Sequence, residues 1–109
     1  MRVSRAEGCA LVRLGGEMDV AGSAEARAFL AAALVEGRGR VVVDATDLAF
    51  IDASGLGVLV FAAARANRDD GWLRLVGASA MLRRMLGIAQ LTAVLCVYDS
   101  VDAATSPGC

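Results

Sequence analysis

The sequence predicts an α/β fold: a single domain built on one mixed, mainly parallel sheet of four to five strands with about four helices. Three observations carry this. Apolar residues alternate at strand period early in the chain, at Ala10, Val12 and Leu14. Three later segments carry apolar residues at helical period, and short strand-like runs separate them. The central run has three consecutive valines at 41–43, the pattern of a strand covered on both faces in a parallel sheet.

The elements follow in order. "MRVSR" reads as a short partner of the strand in "CALVRLGGEMD", which Gly15 and Gly16 break after Leu14, so a hairpin opens the domain. From Ser23 the period changes: Ala26, Phe29, Leu30, Ala33 and Leu34 share one face, with Ser23 as N-cap, Glu25 in the first turn and Gly37 past the end. The valine strand leads into a polar loop at 44–54, which Leu48, Phe50 and Ile51 are expected to fasten to the core. A second helix runs from about Ser54 to Asn67, with Leu56, Leu59, Val60, Ala63 and Ala64 on its core face. Val58, Phe61 and Ala62 point the other way, beside Arg65, toward either another element or a partner. Residues 72–77 form a strand, Ser79 opens a third helix with Leu82, Met85 and Leu86 on one face, and residues 94–99 close the sheet. "SVDAA" is a last helical turn, so the domain spans residues 1–104 and residues 105–109 are a frayed tail.

Composition bounds the function. A chain of 109 residues, 57% apolar and 21% charged, suits one folded domain. A net charge of −1 without long charge runs gives no electrostatic support for nucleic acid or an anionic membrane, which leaves a protein partner. The apolar run at 55–64 is about half of the roughly 20 residues a membrane span needs. Residues 1–4 lead straight into the alternating segment, so no secretory leader is expected and the chain is expected to be cytoplasmic. Cys9, Cys96 and Cys109 lack metal-type spacing and read as structural; Cys9 and Cys96 fall in apolar strand-like runs, where a reduced cysteine acts as a small hydrophobe. All eleven basic residues are arginines, and there is no histidine. That removes Ser-His-Asp and Ser-Lys activation, Schiff-base chemistry, the lysine of a P-loop and histidine metal sites. No cofactor and no metal are expected.

The stretch "FIDASGLGVLV" therefore poses a question about Ser54. As a helix N-cap its hydroxyl accepts a backbone N–H bond worth about 1 kcal/mol. As an accessible side chain it has no base to make it a nucleophile. Gly55 and Gly57 put no bulk over it and cost about 1 kcal/mol each against alanine inside a helix, which points to a need for access.

"LVRLGGEMDVAGSAEARAFL", "RVVVDATDLAFIDASGLGVLV" and "LRLVGASAMLRRMLGIAQLTAVLCVYDSVDAA" together resemble the STAS domain of bacterial anti-sigma factor antagonists. The likeness covers roughly residues 3–104. Its most specific element is Asp52-Ala53-Ser54-Gly55-Leu56-Gly57, the family's Asp-x-Ser-Gly-Leu-Gly; Gly-Glu-x-Asp at 16–19 is weaker. The resemblance implies that the unphosphorylated domain binds an anti-sigma factor, a serine kinase of histidine-kinase-like ATPase fold, and frees a sigma factor. It implies that the kinase phosphorylates Ser54 and switches binding off, and that a metal-dependent phosphatase reverses this. Asp19 and Asp52 match acidic positions near the family's phosphosite, and each is also what a turn or a helix start would use. Many members carry a hydroxyl residue beside the phosphorylated serine, where this chain has Ala53. The expected partner-binding set is Asp19, Asp52, Ala53, Gly55, Leu56, Gly57, Val58 and Phe61.

Two other readings compete. The same fold serves as a STAS subunit of a sensor (stressosome-like) assembly or of a transport-linked complex. A small α/β enzyme is the third, but it lacks a base, a Gly-x-Gly-x-x-Gly run and a P-loop.

Overall fold

The computed structural model describes residues 2–6, 8–19, 21–92 and 94–105, the first segment as backbone only. Its sheet has five strands whose spatial order repeats their chain order: β1 (Arg2–Ala6), β2 (Cys9–Met18), β3 (Arg40–Ile51), β4 (Trp72–Val76) and β5 (Cys96–Tyr98). β1 and β2 are the antiparallel hairpin, and the other three pairings are parallel. One row of paired residues, Val3, Val12, Val43, Leu75 and Val97, crosses all five strands. Helices α1 (Ser23–Glu36), α2 (Ala53–Arg68) and α3 (Ala80–Ile88) make the three parallel crossovers. Right-handed crossovers that all step in one direction place their helices on one face.

Strand alternation sorts the core into two layers. Val12, Leu14, Val41, Val43, Leu73 and Leu75 face the helices and meet Leu30, Leu59, Leu82 and Leu86. Each such leucine, fully buried, contributes about 1.5–3 kcal/mol. Val42 and Val76 face the other way, under the short helix α4 (Val101–Ala104). The three valines at 41–43 are therefore covered on both faces, as their pattern predicts. Arg74 completes the second layer: its guanidinium lies 4.0 Å from the Trp72 ring and 5.5 Å from that of Tyr98, and Nη1 donates to the Ala104 carbonyl at 2.9 Å.

Several expectations are corrected. β2 does not end at Gly15-Gly16 but runs to Met18, because register shifts there, with Gly16 at φ +76°, absorb extra residues without breaking the pairing with β3. Most of the expected loop at 44–54 is consequently strand. Ile51 is buried and Leu48 packs on the core, but Phe50, on the opposite side of the strand from Ile51, is 42% exposed and fastens nothing. The N-cap of α1 is Gly22 and not Ser23, which is the first helical residue. On α2 the buried arc is Leu56, Val58, Leu59, Ala62, Ala63 and Ala66, because α1 packs along the side that Val58 and Ala62 present. Val60 is half-buried, Ala64 is exposed, and Val58 at 1% exposure faces inward, contrary to expectation. Cys96 is disulfide-bonded, which corrects its reading as reduced; Cys9 is buried. Thr105 is the C-cap of α4 and not part of a frayed tail; residues 106–109, Cys109 included, lie outside the described residues.

α3 starts on Ser79, whose hydroxyl accepts from the Leu82 N–H at 3.1 Å, with Leu82 and Leu86 buried and Met85 packed beside them. Ser100 caps α4 in the same way. No helix among the described residues is long and apolar enough to cross a membrane.

Candidate functional site

β2 and β3 end side by side, Met18 paired with Ile51, so Asp19 and Asp52 leave the sheet as neighbours. Each carboxylate closes its own turn. Asp19 Oδ1 accepts from the Gly22 N–H at 3.1 Å and shapes the entry to α1. Asp52 is the N-cap of α2: its backbone is extended, and Oδ1 accepts from the Gly55 N–H at 3.0 Å. Its carbonyl takes the Leu56 N–H at 2.9 Å, and its own N–H donates to the Met18 carbonyl at 3.2 Å. The helix start is thereby tied to both strand ends.

This arrangement removes one reading of Ser54. Asp52 occupies the cap, so Ser54 sits one residue inside the first turn, half-buried, and its hydroxyl has no hydrogen-bond partner among the described residues. The cap reading is overturned, since an N-cap needs extended backbone and Asp52 supplies it. Neither neighbouring carboxylate hydrogen-bonds the hydroxyl, so nothing among the described residues draws off its proton. What the site offers is an oxygen at the positive end of a 16-residue helix, where an added anion is accommodated well.

The two glycines of the motif do different things. A Cβ on Gly55 would lie 2.3 Å from the Met18 carbonyl oxygen and 2.8 Å from both Ile51 Cγ1 and Met18 Cβ, so Gly55 lets the helix seat against the strand ends. A Cβ on Gly57 would meet nothing within 4 Å, and the residue is exposed. Openness over the serine thus comes from Gly57 and Ala53, both exposed, and not from Gly55.

The structure places the expected partner-binding residues between the ends of β2 and β3 and the middle of α2 but does not present them equally. Asp19 and Asp52 are half-buried, Gly55, Leu56 and Val58 are buried, and Phe61 is 48% exposed with the Arg27 guanidinium 5.0 Å from its ring centre. Sequence reasoning missed Met18, whose carbonyl both anchors Asp52 and forces glycine at 55; its only signal was its place in the Gly-Glu-x-Asp stretch.

A family profile described as "Mlab, STAS domain" matches residues 1–97. The chain belongs to the STAS domain family. The resemblance drawn from the sequence is borne out, as is the α/β fold. This STAS domain is 29% identical over 91 residues to an anti-sigma-B factor antagonist of Staphylococcus epidermidis, covering 84% of each chain. Its fold matches the Bacillus cell fate determinant SpoIIAA, solved in the phosphorylated form, at a TM-score of 0.72 and 20% identity, covering 94% of each chain. It also matches a sulfate transporter family protein from Wolinella succinogenes, at a TM-score of 0.73 and 20% identity, covering 89% of this chain and 81% of that one.

Proposed function

We propose that this STAS domain is an anti-sigma factor antagonist whose unphosphorylated form binds an anti-sigma factor serine kinase and so releases a sigma factor. Ser54 is the phosphoacceptor, and a metal-dependent phosphatase restores it. The observation that carries this reading is the Ser54 hydroxyl itself, unbonded among the described residues at the start of α2 and flanked by exposed Ala53 and Gly57. Such a serine suits a substrate, because the base and the ATP come with the kinase. The family, the antagonist relative and the phosphorylated SpoIIAA support the same reading.

The switch acts at the interface and leaves the fold unchanged. A phosphate adds about −1.5 to −2 charges at pH 7, and a helix N-terminus accommodates it. A partner carboxylate about 6 Å away would meet about 3 kcal/mol of repulsion per unit charge at an effective dielectric near 20, roughly a hundredfold in affinity. Ser54→Asp, with a single charge and one fewer acceptor oxygen, weakens binding less.

The test is intact mass after incubation with candidate anti-sigma kinases and ATP. One phosphate is expected on the native chain and none on Ser54→Ala, with affinity falling from unmodified protein to Ser54→Asp to phosphoprotein. Stoichiometric phosphorylation of Ser54→Ala, or equal affinity for all three forms, refutes the proposal.

The fold shared with the sulfate transporter family protein favours a second reading, docking within a transport-linked complex. Pull-down of a transporter component and no ATPase-fold kinase would select it.

A further inference from the structure

The groove between α1 and α2 has an apolar floor and a basic rim. Ala28 and Ala31 line it over buried Val58 and Ala62, Arg27, Arg65 and Phe61 stand along it, and its volume is about 420 Å³. Arg27 spreads over the Phe61 ring, 5.0 Å from its centre, which holds an aromatic face and a guanidinium at one place on the rim. No acidic residue lines the groove, and among the described residues neither Arg27 nor Arg65 has a carboxylate within ion-pair distance. In a chain with net charge −1 this is a local excess of positive charge over apolar surface. The groove also lies close to the phosphoacceptor: Val58 is one helical turn from Ser54, and Ser23 at the start of α1 lines the same end.

We propose that this groove docks an amphipathic helix of the anti-sigma factor, its apolar stripe on Ala28, Ala31 and Phe61 and its carboxylates against Arg27 and Arg65. The inference rests on the proposed function for the identity of that partner. The small floor residues let a helix backbone approach closely, and arginine's planar fork matches a carboxylate. A second copy of this chain docking through the same groove by two-fold symmetry would set its arginines against their own counterparts. The occupant is therefore a different, acidic chain. Its rim charges act mainly on association rate and salt dependence, and its apolar stripe on residence time.

Two synthetic helical peptides with the same leucine stripe, one flanked by glutamates and one by lysines, are titrated into the full chain by calorimetry and amide NMR. The glutamate peptide is expected to bind at least about tenfold tighter, to shift α1 and α2 amides, and to weaken as salt rises. In the R27E/R65E double variant, both positions exposed in the native fold, the preference should reverse. Equal binding of the two peptides, or shifts confined to other elements, overturns the groove assignment whatever happens at Ser54. With a kinase that phosphorylates Ser54 in hand, the double variant should lose at least about tenfold in kinase affinity at an unchanged melting temperature. Unchanged kinase affinity overturns the groove and leaves the phosphoacceptor reading standing. A Ser54 that no anti-sigma kinase phosphorylates removes that reading, and with it the occupant named here.

Discussion

Replacing Gly55 and Gly57 singly by alanine should move stability in opposite directions, although both are glycines in the first turns of one helix. At Gly55 the added methyl would sit 2.3 Å from the Met18 carbonyl oxygen and 2.8 Å from two side-chain carbons, where apolar contacts prefer about 3.5–4.0 Å. Relief requires the first turn of α2 to lift by about 1 Å, which stretches the Asp52 N–H bond to Met18, now 3.2 Å. Overpacking of this kind costs about 1–3 kcal/mol and a weakened hydrogen bond about 1 kcal/mol, against about 1 kcal/mol regained from alanine's helix propensity. The net is a loss of about 1–3 kcal/mol, or about 5–20 °C in melting temperature for a domain of this size. At Gly57 the methyl meets nothing, so only propensity acts, and the melting temperature should rise by about 4–8 °C. Thermal unfolding followed by circular dichroism reads both. A Gly55→Ala protein that melts at or above the native temperature would refute the close-approach argument and return Gly55 to the role of leaving space over Ser54.

Other perturbations separate the parts of the site. Asp52→Ala removes the side-chain cap of α2 and should lower stability by about 1 kcal/mol in chemical denaturation, whereas Ser54→Ala should stay within a few tenths because its hydroxyl caps nothing. Val58→Ala and Phe61→Ala should divide stability from binding. Val58, 1% exposed, should lose about 1–3 kcal/mol of folding free energy with little direct effect on the partner. Phe61, 48% exposed, should keep its melting temperature within a few degrees and lose about 1–3 kcal/mol of partner affinity by calorimetry.

The sequence made the fold legible wherever a period had one dominant cause. The alternation at Ala10, Val12 and Leu14, the triple valine, and the Ser79 cap over Leu82 and Leu86 each reflect one interaction repeated along an element, and each is found in place. It was less legible where two elements compete for one residue. Val58 and Ala62 look like an outward face when α2 is weighed against the sheet alone, and only the packing of α1 turns them inward. The polar character of residues 44–50 suggests a loop, yet pairing with an equally extended β2 holds them as strand. At the site, the serine and both aspartates could be found from the motif, but not their division of labour. Asp52 rather than Ser54 caps the helix because only its backbone is extended there, and local composition does not reveal which of two good capping residues lies one step outside the turn.

The sheet's spatial order also bears on how the chain assembles. Since each strand lies beside its predecessor, Val12 against Val43, Val43 against Leu75 and Leu75 against Val97, every newly made strand adds to the open edge of what is already folded and threads past nothing. Assembly can therefore keep pace with synthesis from the N-terminus. The hazardous moment comes half-way, when the valine strand β3 is itself the open edge and one of its faces, the side later closed by α4 over Val42, is still bare. Translational pausing before β4 emerges would lengthen the exposure of that edge, and a fragment ending there would present an uncovered run of valines to other chains.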